Sequence, residues 1–289
     1  MSAALRYVLL AVAACLSVAG CSTPEPAAQS STTSTSSSAQ AIPSTVPPSE
    51  YRYPVDVAGP YNVVWSASEP IDLNGRAAEL TRAYVESCQL SIFGRQYVYP
   101  GAMDAAPPPS LDTSASCLWA PKRPEATKPA YFGTLYAHIL EVDVADRRVT
   151  ARGCYSTNGR AEVETQEPES DELSAIEFSF TARLPNGATD PRENTDRAIP
   201  AGTGTRAPQF DVFYPWKFDA VRWDKPRPAQ SPFKDRPCTQ WAVDKLNQVP
   251  AFSGQSPFAA DGYPNELTPK MFGEEGFPTL PQTPAWPVP

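Results

Sequence analysis

Histidine is almost missing from this chain: 289 residues contain one, His138. That scarcity excludes histidine-rich zinc centres and confines any imidazole base to a single position. Cysteine is sparse as well, with six residues and no C-x-x-C pair, so zinc-ribbon and thioredoxin-like chemistry are not expected. No G-x-S-x-G elbow occurs, which removes the usual serine-hydrolase signature. Gly202-Thr203-Gly204 lacks both the lysine of a phosphate-binding loop and the third glycine of a dinucleotide fingerprint, and reads as a turn. Cations are outnumbered, 24 Lys and Arg against 32 Asp and Glu, for a net charge of −8. An acidic surface repels phosphate backbones, so nucleic acid is excluded as a partner. Long apolar runs are absent too. The longest, residues 7–19, falls short of the roughly 20 residues a bilayer-spanning helix needs.

What is present begins at the amino terminus. Arg6 supplies positive charge, residues 7–16 are apolar, and small residues Ala19 and Gly20 precede Cys21. This is the three-part organisation of an export signal. Val18-Ala19-Gly20-Cys21 resembles the bacterial lipobox. That resemblance implies cleavage before Cys21, diacylglyceryl modification of its thiol, and a chain held on the extracytoplasmic face of the cell membrane. Several acyl chains on one residue hold a protein far better than one, at about 0.8 kcal/mol per buried methylene. An exported chain keeps Cys88, Cys117, Cys154 and Cys238 in an oxidising compartment. They read as up to two disulfides, with three connectivities left open.

The expected organisation is a signal peptide over 1–20, a lipid-anchored Ser/Thr/Pro-rich tether over 21–59, one α+β domain over 60–248, and a Pro-rich tail over 249–289. Residues 30–38 are serine and threonine throughout and cannot bury apolar surface. Leu73, Ala77, Leu80, Tyr84, Cys88 and Ile92 recur at helical spacing, with Asp72 or Asn74 as cap, Gly94 as stop, and Glu79, Arg82 and Glu86 on the wet side. Residues 131–144 read as a strand with Tyr136, His138, Leu140, Val142 and Val144 on its inner face. A turn at Ala145-Asp146-Arg147 returns the chain as a hairpin over 149–155. Ile176, Phe178, Phe180, Ala182 and Leu184 alternate with polar residues as a half-buried strand. Phe210, Val212, Tyr214, Trp216 and Phe218 read as one face of a third strand, with Pro215 marking an edge or bulge. Residues 239–248 read as a short helix, and the ends of the chain are expected to be disordered, with residues 250–289 read as a wrapping or disordered tail.

An amphipathic helix, the stretch Tyr97-Val98-Tyr99-Pro100-Gly101 and long hairpin strands resemble the NTF2-like cone, in which helices cover the concave face of a curved antiparallel sheet. The pattern Leu140-Glu141-Val142-Asp143-Val144 through Arg152-Gly153-Cys154-Tyr155 is similar to the hairpin of secreted NTF2-like lipoproteins of mycobacteria. The resemblance implies a pocket at the open end of the cone. His138, Tyr136, Tyr214, Trp216 and Phe218 are the candidate pocket residues. No catalytic grouping, metal site or cofactor is assigned. The acidic run from Glu162 to Glu172 lacks calcium-loop spacing and reads as a solvated loop. The leading expectation is a non-enzymatic binding or accessory module of the envelope, for an apolar small molecule or an envelope protein. The alternative is an isomerase or dehydratase with His138 as general base.

Overall fold

The computed structural model describes residues 51–107, 117–119, 129–192, 204–224, 233–260 and 262–287. The expected signal peptide, Cys21, the tether up to residue 50 and the glycine pair at 202 and 204 lie wholly or partly outside them. Among the described residues the elements run α1 (Val55–Ala58), β1 (Asn62–Ala67), α2 (Arg76–Ser91), α3 (Ala102–Ala105), β2 (Tyr131–Ala145), β3 (Arg148–Ser156), β4 (Arg160–Glu162), β5 (Ile176–Arg183), β6 (Lys217–Asp224), α4 (Pro237–Leu246) and α5 (Gly273–Gly276). The α+β class is as expected. None of these helices is long and apolar enough to cross a membrane.

The sheet has six strands in the order β1-β2-β3-β5-β6, with β4 paired to β2. It is mixed rather than antiparallel, because β1 runs parallel to β2. A parallel neighbour needs a long crossover, and α2 lies in the connection between these two strands. The remaining pairs are antiparallel.

A bulge decides which residues of β2 face which side. Ile139 pairs with Gly153 and Glu141 with Arg152, so Leu140 has no partner in the register. One extra residue flips the alternation beyond it. Leu135, Ala137 and Ile139 join the α2-side core, and past the bulge Val142 packs on that same core. Tyr136 instead belongs to a second core with α4. The expectation that Tyr136, His138, Leu140, Val142 and Val144 share one face is therefore corrected. Uninterrupted alternation does hold in β5, where Phe178, Phe180 and Ala182 are buried.

The expected third strand is shorter than its aromatic row. It begins at Lys217, after the cis Tyr214–Pro215 bond, so residues 210–216 form turns. Phe213 is buried and Tyr214 exposed, opposite to the expected alternation.

Helix α2 matches the predicted periodicity but not the predicted wet side. Glu79, Arg82 and Glu86 are each 2% exposed. Glu79 is covered by Arg76 and Arg192, and Arg82 and Glu86 by the C-terminal segment, expected as a wrapping or disordered tail. Thr283 bridges to Val64 beside β1, the Trp65 N–H donates to the Thr283 carbonyl at 2.7 Å, and Trp286 is fully buried. Glu86 accepts hydrogen bonds from Trp65 Nε1 at 2.8 Å, Tyr99 Oη at 2.5 Å and Trp286 Nε1 at 3.3 Å. Burial, then the Glu86 charge, pushes the Tyr99 phenol well above its ordinary range. The apolar side chains of this segment drive its packing, and Phe252, Leu267 and Phe277 complete the second core. The ordered chain also starts before residue 60: Ala58 is fully buried and Tyr51 Oη donates to the Tyr97 carbonyl at 2.8 Å.

Of the three connectivities, the structure has Cys88–Cys117 and Cys154–Cys238. The second ties α4 to the sheet face opposite α2.

Candidate functional site

A cavity of about 570 Å³ opens where the first turn of α2 meets the β2–β3 hairpin. Its apolar walls include Ile71, Ala77, Val142, Val149, Leu184 and Trp216. Val142, Val149 and Leu184 are placed by separate constraints. The bulge at Leu140 turns Val142 and Val144 toward α2, and the hairpin brings Val149 opposite Val144. Leu184 follows β5, and its N–H donates to the Arg147 carbonyl at 2.8 Å, closing the hairpin tip onto that strand.

Four charged residues line the cavity: Asp72, Arg76, Arg147 and Asp190. Two of them form a closed polar unit. Arg76 Nε donates to Asp190 Oδ2 at 2.6 Å and Nη1 to Glu79 at 2.8 Å. Trp216 Nε1 donates to the same Asp190 oxygen at 2.7 Å, and the Arg192 N–H donates to Oδ1 at 2.9 Å. Burial pushes the Asp190 carboxyl upward, but the Arg76 guanidinium and these donors outweigh it and hold the group below the usual carboxylate range. Glu79 also accepts from Arg192 at 2.6 Å. The unit fixes the Trp216 ring in the wall.

The other two sit at the rim. Asp72 accepts the Asn74 N–H at 2.9 Å in the loop before α2. Arg147 occupies the hairpin tip, and its Nη2 donates to the carbonyls of Pro185 and Ala188 at 2.5 and 2.6 Å.

Of the candidate pocket residues, only Trp216 lines this cavity. Phe218 is a core residue, 4.7 Å from Tyr84 and 5.4 Å from Phe180 between ring centroids. Tyr214 is 48% exposed, and its carbonyl accepts from Arg76 Nη2 at 3.4 Å. Tyr136 is buried on the α4 side. His138 lies on that side as well, paired with Cys154 across the strands and stacked on Trp241 at 5.8 Å. The Ser66 hydroxyl is hydrogen-bonded to its Nδ1 at 2.8 Å and the Ser68 hydroxyl to its Nε2 at 3.2 Å. Burial, then the nearby Lys245 ammonium, lowers its pKa. The imidazole is a half-buried ring held by two hydroxyls and an indole, and it does not line the cavity.

Asp190 and Arg76 escaped sequence reasoning because they are far apart in the chain and neither belongs to a motif. The nearest signal was the tight turn at Asp146-Arg147. Among the described residues, no cluster of three or more His, Cys, Asp or Glu side chains is placed to hold a metal ion. The acidic run is spread out, with Glu169 paired to Arg160 at 2.6 Å.

No family model, curated protein or solved structure matches the chain.

Proposed function

We propose that this protein is an extracytoplasmic lipoprotein, held on the membrane by acyl chains on Cys21, whose folded part binds an apolar small molecule and catalyses no reaction. The observation that carries the binding reading is the cavity of about 570 Å³ walled by Ile71, Val142, Val149, Leu184 and Trp216. That volume falls within the roughly 300–1,000 Å³ of small-molecule sites, which combine apolar walls with a few fixed polar groups. The cavity favours a small molecule over an envelope protein as the partner. The NTF2-like cone is part of the same proposal, supported by a long helix laid on one face of a bulged sheet with a cavity at the helix end. The isomerase or dehydratase reading draws no support from His138, which stacks on Trp241 on the opposite face.

Calorimetric titration of 1-dodecanol into the oxidised full chain tests the binding reading. Saturable one-to-one binding is expected, and Ala77→Phe, which fills the cavity from a half-buried wall position, is expected to abolish it. Absence of binding to the unsubstituted chain overturns the reading. Mass spectrometry of the native protein tests the anchor. A mature chain starting at Cys21 with acyl mass is expected, and any other start or an unacylated Cys21 overturns it.

A further inference from the structure

The charges around the cavity are not balanced in the same way. Arg76 is half-buried and engaged by Asp190 and Glu79, and Asp190 is engaged by Arg76, Trp216 and the Arg192 backbone. These groups neutralise one another and leave nothing for a ligand. Asp72 accepts a backbone N–H within its own loop.

Arg147 differs. It has no carboxylate partner among the described residues, and both of its hydrogen bonds use Nη2 on backbone carbonyls. Neutral carbonyls position a guanidinium without cancelling its charge. Nη1 and Nε stay unengaged by described residues, on a side chain that lines the cavity. The backbone reinforces this placement. Asp146 and Arg147 have φ values of 46° and 65°, the left-handed pair a tight hairpin turn requires. Asp tolerates that region, but Arg does so at a cost, and Asn or Gly would make the turn more easily. A long cation therefore stands in a position that the turn itself does not favour, folded back onto the cavity rim. The first turn of α2 adds partial positive charge to the same cavity, since Arg76, Ala77 and Ala78 line it and no side chain caps the helix at Gly75.

We propose that the ligand is an amphiphile: an apolar body against Val142, Val149, Leu184 and Trp216, and an anionic head, carboxylate or phosphate, paired with Arg147. This rests on the cavity-binding reading above and adds the sign and place of the head group.

The test compares four probes of one chain length in calorimetric titrations of the oxidised full chain at neutral pH, each below its aggregation concentration. They are sodium dodecanoate, dodecyl phosphate, 1-dodecanol and dodecyltrimethylammonium. One added charge-assisted contact of about 1.4 kcal/mol corresponds to roughly tenfold. Dodecanoate or dodecyl phosphate is therefore expected to bind about tenfold tighter than dodecanol, with the cationic probe weakest. Whichever anion binds tighter names the head. Arg147→Gln is expected to erase the advantage of the anions, read as the ratio of anion to dodecanol affinity within the variant, whatever the change in dodecanol affinity itself. A far-ultraviolet circular dichroism spectrum and urea midpoint like those of the unsubstituted chain show that the variant is folded. Arg147→Lys is expected to retain part of the advantage.

Equal binding of anion and alcohol overturns the head-group inference and leaves the cavity reading standing. Tightest binding of the cationic probe also overturns it and points to Asp72. An anion preference that survives Arg147→Gln overturns the role of Arg147. Failure of all four probes overturns both readings.

Discussion

The Arg82 guanidinium lies 4.4 Å from the centroid of the Trp286 ring, joining the middle of the main helix to the C-terminal segment. Arg82 Nη1 also donates to the Pro284 carbonyl at 2.9 Å, while Trp286 Nε1 donates to Glu86. Burial lowers the Arg82 pKa, yet the ring, the carbonyl and Glu86 keep company with the cation where water cannot. The tail is thus the lid on the polar side of α2.

Trp286→Ala is expected to destabilise the fold by about 3–5 kcal/mol, the cost of deleting a buried indole. It removes one donor from Glu86 and the ring from Arg82, so the value should fall toward the upper end. Urea unfolding of the variant beside the unsubstituted chain gives the difference. A change below about 1 kcal/mol means the C-terminal segment is not part of the folded unit.

Replacing Cys154 and Cys238 together by serine is expected to cost about 2–5 kcal/mol, because the bond closes a loop with a sequence separation of 84. The loss should be local first. Trp241 leaves His138 as α4 loosens, and the indole emission of that residue moves toward that of exposed tryptophan. Denaturant titration and fluorescence report the two effects.

His138 makes stability pH-dependent. Its folded pKa is lowered relative to an unfolded value of about 6.5, so the unfolded chain takes up the proton first as pH falls. Its contribution is complete above about pH 6.5 and is lost as pH falls through the lower folded value. His138→Gln is expected to flatten the stability profile across that window. Denaturant midpoints measured from pH 8 to pH 5 for both proteins show whether the slopes differ.

Asp190→Asn is expected to cost about 1–3 kcal/mol, since it removes the charged acceptor of Arg76 Nε and Trp216 Nε1 while Glu79 still pairs with Arg76 Nη1 at 2.8 Å. Because the Asp190 pKa is lowered, the pair's contribution is present above the unfolded carboxylate value of about 3.9 and is lost as pH falls through the folded value. Acid titration of stability should therefore lose part of its slope at the low end in the variant. Freed from Asp190, the Trp216 ring also loosens, and dodecanol binding weakens.

Much of the fold is legible in the residues. The spacing of Leu80, Tyr84 and Cys88 places α2, and the alternation of Phe178 and Phe180 places β5, because burying one face imposes a period on each element. The site is less legible. Trp216 is within reach as an aromatic, but the alternating row places its neighbours in a strand that begins only at Lys217. The bulge at Leu140 was invisible, since an inserted residue in an apolar strand changes no local composition.

The sequence by itself determined that one face each of α2 and β5 would seek burial, which cysteines could pair, and the turn at Asp146-Arg147, because these depend on side-chain polarity and on φ preferences within a few residues. Only the tertiary structure decided that Glu79, Arg82 and Glu86 lie inside, that His138 and Val142 face opposite sides of the sheet, and that Arg76 meets Asp190. The reason is physical. Polarity says that a group needs a partner, but long-range packing supplies it, and a guanidinium covered by a distant tryptophan has the same local sequence as one in water.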